Sequence, residues 1–189
     1  MPTVFTHAAV PLAMSLGLGR EIISKRLMAA GVVVSVLPDL DVLAFRFGIP
    51  YASAFGHRGF SHSLLFAFAV ALIGASLARP LLSTARGAFF FLFLAAASHG
   101  ILDSFTSGGL GIAFLWPFSD ARFFAPVHPL RVCPFGLSGF LSFKGLIILW
   151  SEVRWVWLPC MGTAIALAAL RRRRASLSRG DLHENGTMG

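Results

Sequence analysis

Charge is the first thing this sequence lacks. Of its 189 residues only 13% are Asp, Glu, Lys or Arg, about half the share of an ordinary soluble domain, which is too little to clothe a water-facing surface. Cysteine is nearly absent as well. Cys133 and Cys160 are too few and too far apart for a disulfide framework or a thiolate zinc site. No basic residue precedes Arg20, so the first hydrophobic segment lacks the charged start of a cleavable signal peptide and is expected to be retained. There is no internal repeat and no Gly-x-Ser-x-Gly nucleophile elbow. The glycines of "SGGLG" at 107–111 follow no strand, so they read as a flexible turn rather than a phosphate cradle.

What the sequence does have is apolar residues, 56% of the total, and they come in runs. Residues 27–45, 61–78, 87–103 and about 145–170 each approach the length that crosses a hydrocarbon core about 30 Å thick. The pattern predicts an all-α, polytopic helical membrane protein with about four transmembrane helices, the last one interrupted. A further short N-terminal hydrophobic helix, 7–18, is too short to cross alone and reads as a half-span. Residues 1–174 are expected to form a single membrane-embedded domain. Residues 175–189, polar and without periodicity, are expected to be a disordered tail.

The formal net charge of +8 follows helix ends rather than a nucleic-acid face. Of the 16 basic residues, 10 lie in 20–26, 79–86 and 171–179, which the expected crossings place on one side. Arg46, Arg58, Arg122, Arg131, Lys144 and Arg154 are spread over the other. The first side is therefore expected to be the cytoplasm, with the C-terminus there. "RRRR" at 171–174 reads as a stop-transfer anchor near anionic headgroups, so the expected partner is the lipid bilayer and not nucleic acid. Nothing in the sequence sets an oligomeric state.

Inside the second run, Pro38 removes a helix hydrogen bond beside Asp39 and Asp41, which predicts an irregular turn facing the bundle interior. Thr6 and Ser61 are candidate helix N-caps. Residues 104–144 are too long for a mere connector and are expected to cover a site. Glu152 and Arg154 interrupt the last run, and Pro159 can kink it.

Placed on this topology, His7, Asp39, Asp41, His57, His62, His99 and Asp103 all fall toward the expected outer ends of hydrophobic segments. His99 and Asp103, in "SHGILDS", lie four apart and so share one helix face. Singly, each has a plain structural explanation: a local hydrogen bond, a turn, a solvated loop histidine. Together they include four of the six histidines and three of the five aspartates, whereas Asp120 and His128 on the long loop show no such spacing. Ionisable groups near lipid are costly unless paired or holding a cation, and imidazole with carboxylate suits zinc, manganese or iron. Arg58, in "HRGFSH", offers a planar fork for an anionic oxygen such as phosphate; a cation at headgroup level is the alternative.

With "TH" at 6–7, "PDLD" at 38–41, "HRGFSHS" at 57–63, "SHGILDSFTSGG" at 98–109 and "WPFSD" at 116–120, the sequence resembles the YdjM family of membrane-bound, metal-dependent hydrolases over roughly its first 125 residues. That family is regarded as similar to zinc-dependent phospholipase C and the related single-strand nucleases. The resemblance implies a divalent metal, zinc first, held by His7, Asp39, His62, His99 and Asp103, with His57 and Asp41 as further ligands or just behind them. No second histidine–carboxylate helix pair follows Asp103, so one or two ions fit better than three.

The function expected from all this is metal-dependent hydrolysis of a phosphoester in a lipid or lipid-linked substrate. Arg58 would hold charge developing on the phosphate, and Asp41 would orient a water or take its proton. The alternatives are a transporter and a non-enzymatic metal-binding membrane protein. A transport path calls for polar groups near the midplane and on both sides, but the expected cytoplasmic halves are almost free of them.

Overall fold

The computed structural model describes residues 2–132 and 142–186; Cys133, Pro134 and the rest of that loop segment lie outside them. Every regular element described is helical. A four-residue helix α1 (Val4–His7) leads into α2 (Ala9–Leu18), and α3 (Lys25–Val36) continues as a tighter 3-10 stretch, Leu37–Phe47. After a single 3-10 turn, Phe60–His62, come α4 (Leu64–Ser76) and α5 (Ala85–Ser104). Beyond the long loop, α6 (Phe143–Glu152) joins α7 (Leu158–Gly186) through a π turn, Val153–Trp157. The only strand-like pairings among the described residues are isolated bridges, Thr106 to Leu130 and Ile112 to Phe123.

Helix starts follow side-chain chemistry. Ser24, Ser63, Thr84 and Ser142 each accept a hydrogen bond from a first-turn N–H, as N-caps do. The cap expected at Ser61 is thus supplied by Ser63. Thr6 lies inside α1 and uses its hydroxyl elsewhere.

Three helical segments are long and apolar enough to cross a membrane: Lys25–Phe47, Ala85–Ser104 and Phe143–Leu177, of 23, 20 and 35 residues. Leu64–Ser76, expected as a full span, has 13 residues and reaches only about 20 Å. Large apolar side chains on these helices, among them Phe68, Ile73, Phe90 and Ile165, are exposed, the outward-facing surface that lipid would cover.

Contacts define two ends of the bundle. At one end Ser24 Oγ donates to the Leu81 carbonyl (2.5 Å), Arg26 donates to the Pro80 carbonyl (3.1 Å), and Gly19 adjoins Arg171. The basic runs at 20–26, 79–86 and 171–174 therefore gather there. At the other end lie the start of α2, the end of α3, the start of α4 and the end of α5. Val4–Leu18, which contains the segment expected to be a half-span, is shorter than the three long apolar helices and packs against α7, with Gly17 beside Ala164 and Leu167. The core of the bundle is Ile23, Leu27, Ala71, Ala78, Ala88, Phe91 and Leu92.

Glu152 and Arg154 do not break the last helix. The backbone widens into the π turn beside Pro159, whose missing N–H would otherwise have served the Trp155 carbonyl. α7 is helical to Gly186; Ala175, Leu177 and the four arginines before them all favour helix.

Candidate metal centre

Each side chain of the centre is placed by a local device. α1 is too short to be stable alone and is pinned from outside: the Thr3 N–H (2.6 Å), Thr3 Oγ1 (2.6 Å) and Thr6 Oγ1 (2.8 Å) all donate to the buried Glu152 carboxylate. Trp157 Nε1 donates to Thr6 Oγ1 at 3.2 Å. His7, the next residue, is thereby fixed with its ring stacked on His99, centroids 3.7 Å apart.

Pro38 tightens the end of α3 and turns Asp39 and Asp41 inward. In a 3-10 turn the Ser35 carbonyl would pair with residue 38, which as proline has no N–H. That carbonyl instead lies 2.7 Å from His99 Nδ1. An Nδ1–H donated there leaves Nε2 as the free nitrogen, directed at Asp39 Oδ1 (3.3 Å) and His62 Nε2 (3.1 Å). A Cβ on Gly100 would lie 3.0 Å from the His62 carbonyl oxygen, so glycine after His99 lets α5 approach the "FSH" turn.

Asp39, His62, His99 and Asp103 each offer one ligand atom, all within 4.8 Å of one another. His7 Nε2 stands 3.8 Å from Asp39 Oδ2 and 3.7 Å from Asp103 Oδ1, and His62 Nε2 lies 3.6 Å from Asp103 Oδ2. His7, His99 and Asp103 are 0% exposed, His62 and Asp39 only 4% and 5%. Yet His7 Nε2 and both carboxylate oxygens of Asp39 and of Asp103 make no hydrogen bond. Buried acceptors in that state cost several kcal/mol each without compensation. A divalent cation among them is the compensation that imidazole and carboxylate donors fit.

Asp41 and His57 stand one layer back. Asp41 accepts from His57 Nδ1 (2.5 Å), the Arg58 N–H (3.0 Å) and Ser61 Oγ (2.7 Å), and its Oδ2 is 3.2 Å from His62 Nδ1. A carboxylate on the outer nitrogen of a ligand histidine fixes the ring's tautomer and orientation. Asp41, His57 and His62 also form a smaller donor group of their own.

Arg58 is not an open fork. It is 1% exposed and its φ of 65° lies in the left-handed region that side-chain-bearing residues seldom adopt. Nε lies 3.2 Å from Asp103 Oδ2, Nη1 donates to the Gly108 (2.9 Å) and Leu110 (3.0 Å) carbonyls, and Nη2 donates to Thr106 Oγ1 (2.8 Å). Thr106 Oγ1 in turn donates to the Asp103 carbonyl (2.7 Å). The guanidinium thus ties the start of the long loop to the centre.

Four residues escaped the sequence reading: Ser35 and Thr106 act beside the centre, Glu152 pins α1, and Arg122 anchors the loop. Arg122 donates to carbonyls of Ala52, Ser53, His57, Arg58 and Gly111; burial, with Arg58 nearby, lowers its pKa. Only Glu152 had a visible signal, as a lone acid in an apolar run. Asp120 lines a separate cleft with Trp116, and His128 packs edge-on against Phe124.

The inner membrane protein YbcI of Escherichia coli (strain K12) is 49% identical over 162 residues, covering 85% of this chain and 94% of its own length. No solved structure matches the chain. The model of the YdjM inner membrane protein family matches residues 1–175, the whole bundle and every residue of the centre. By both measures the chain belongs to the YdjM inner membrane protein family.

Proposed function

We propose that this chain is a metal-dependent hydrolase of the membrane whose centre is held by His7, Asp39, His62, His99 and Asp103. The observation that carries the reading is the set of buried acceptor atoms on His7, Asp39 and Asp103 that make no hydrogen bond among the described residues and face one another at one end of the helical bundle. Zinc is the first choice for that donor set, in one or two ions, with manganese and iron next. Bound there, such an ion supplies Lewis acidity toward a phosphoryl oxygen and lowers the pKa of a water.

The chain's own residues do the rest. Asp41 holds the His62 ring through Nδ1, Ser35 holds His99, and Arg58 keeps Asp103 and the 106–110 segment in register. Arg58 therefore reads as a positioning residue, in place of the phosphate clamp expected from sequence. Asp41, with both oxygens engaged, reads likewise as an orienting group. The substrate class that suits a centre at the end of a lipid-facing bundle is a phosphoester of a lipid or lipid-linked molecule.

The topology that goes with this reading has the centre on the outer side of a bacterial inner membrane and the basic end in the cytoplasm, with residues 1–174 as one embedded unit. Support comes from the gathering of the three basic runs at the end opposite the centre. α4 spans the stretch of α5 from His99 back to Ala85, about 21 Å of helix, so it passes between both ends despite its length.

A non-enzymatic metal site tying the helices together is the second reading, favoured by the complete burial of His7, His99 and Asp103. One experiment separates the two. Protein purified in detergent is assayed for bound metal and for release of phosphate or headgroup from a panel of phospholipids and lipid-linked phosphates. Metal with metal-dependent turnover, both reduced in Asp103→Ala and His99→Ala but not in His128→Ala, is expected. Metal without turnover on the whole panel supports the second reading, and wild-type protein without metal overturns the centre.

A further inference from the structure

At the basic end of the bundle, some 20 Å from the metal centre by the length of α3, a cleft of about 330 Å³ opens between α2, the turn into α3 and α7. Its wall is of two kinds. Leu12, Leu16, Ile23 and Met28 are apolar, and Arg20, Lys25 and Arg171 are cationic. No carboxylate lines it, and none of the three cations has an ion-pair partner within 4 Å among the described residues.

Arg171 carries the argument further. Its Nε is buried and has no hydrogen-bond partner among the described residues, a donor open to an acceptor. Its guanidinium lies against Gly19, where the backbone has φ 84° and where any Cβ would overlap it. The glycine turn thus makes room for the guanidinium at the mouth of an apolar cleft. Three cations grouped with an unsatisfied donor call for an oxyanion, and the aliphatic wall beside them calls for a hydrocarbon chain.

We propose that this cleft binds one acidic phospholipid, its phosphate between Arg20, Lys25 and Arg171 and an acyl chain along Leu12, Leu16, Ile23 and Met28. The site is separate from the metal centre and does not depend on it. It goes beyond the diffuse attraction of basic loops to a membrane surface, because the acceptor is required at one place.

The full chain in detergent is titrated with dioleoyl-phosphatidylglycerol and read by native mass spectrometry, with dioleoyl-phosphatidylcholine and inorganic phosphate as comparisons. One tightly retained phosphatidylglycerol is expected, preferred at least about tenfold over phosphatidylcholine, with millimolar phosphate failing to displace it. The double variant Arg20→Gln, Lys25→Gln removes two exposed side chains and is expected to weaken retention about tenfold to thirtyfold. Arg79→Gln with Arg86→Gln removes the same charge from exposed positions at the same end but outside the cleft, and is expected to leave retention unchanged. Arg171→Gln should match the first double variant, provided it melts as cooperatively as wild type. Equal weakening by the two double variants, equal retention of the two lipids, or displacement by free phosphate would each overturn the proposal.

Discussion

The buried carboxylate of Glu152 offers a test of how the centre is held that needs no substrate. Glu152→Ala leaves three donors, the Thr3 N–H and the Thr3 and Thr6 hydroxyls, without the acceptor they now share at 2.6, 2.6 and 2.8 Å. Hydrogen bonds to a charged acceptor are worth roughly 1.5–3 kcal/mol each, but the three share one group and do not add. Removing one side of a buried charged network costs about 3–5 kcal/mol. In a chain of this length each kcal/mol lowers the melting temperature by about 2–4 °C, so a fall of about 6–20 °C is expected. Glu152→Gln keeps one acceptor oxygen and the side-chain volume, and the hydroxyls can turn to meet its amide; about 1–2 kcal/mol is expected from the loss of the charge. Melting curves of the purified protein in one detergent provide the assay, with bound metal counted in the same samples. Because His7 follows Thr6 directly, metal retention should fall in step with stability. An alanine variant that melts within about 2 °C of wild type, as Thr163→Ala on the exposed face of α7 should, would refute the clamp.

Asp41→Asn should weaken metal retention about 10-fold to 100-fold while preserving the number of ions bound, since it acts through His62; Asp103→Asn should reduce the number itself. A competition assay with a chromogenic chelator distinguishes the two patterns. Arg58→Lys loses the fork that reaches Gly108, Leu110 and Thr106 together, so protease cleavage between residues 104 and 112 should quicken about tenfold; an unchanged cleavage pattern would show that the loop is held by something else. A periplasm-active reporter fused at residue 82 should be silent and one at residue 55 active, and the reverse result would invert the proposed orientation.

How much of this was legible beforehand depends on the range of each interaction. The helical segments follow from apolar run length, which is local, and the conjunction of His7, Asp39, Asp41, His57, His62, His99 and Asp103 followed from placing each at the same end of its run; the five nearest one another were singled out only by the resemblance. What run length cannot show is which residue stands behind which. Asp39 and Asp41 are two apart in one "PDLD", yet Asp39 enters the centre and Asp41 stands behind His62; on the 3-10 stretch that carries them, residues two apart point about 120° apart, which run length does not show. Arg58 looked free because its partners are the backbone carbonyls of Gly108 and Leu110, and a carbonyl leaves no trace in composition. Thr6 looked like a cap because an N-cap is a local pattern, whereas its partner Glu152 is 146 residues away. The short N-terminal segment reads as a half-span on length; its packing against α7, Gly17 beside Ala164 and Leu167, joins residues far apart in the chain and leaves no mark on run length.

That long reach from Thr3 and Thr6 to Glu152 also sets an order of events during synthesis. The chain is made at about 5–20 residues per second, so the 149 residues that separate Thr3 from Glu152 take roughly 7–30 seconds to appear. Throughout that interval His62, His99 and Asp103 are synthesised and can pack on the end of α3, but α1 lacks the three hydrogen bonds to Glu152 that pin it beside His7. The centre is therefore completed last by its earliest residue. A chain stalled before residue 152 would carry four of the five proposed ligands on joined helices and still lack the clasp, so the proposed centre would be closed only once the end of α6 has been made.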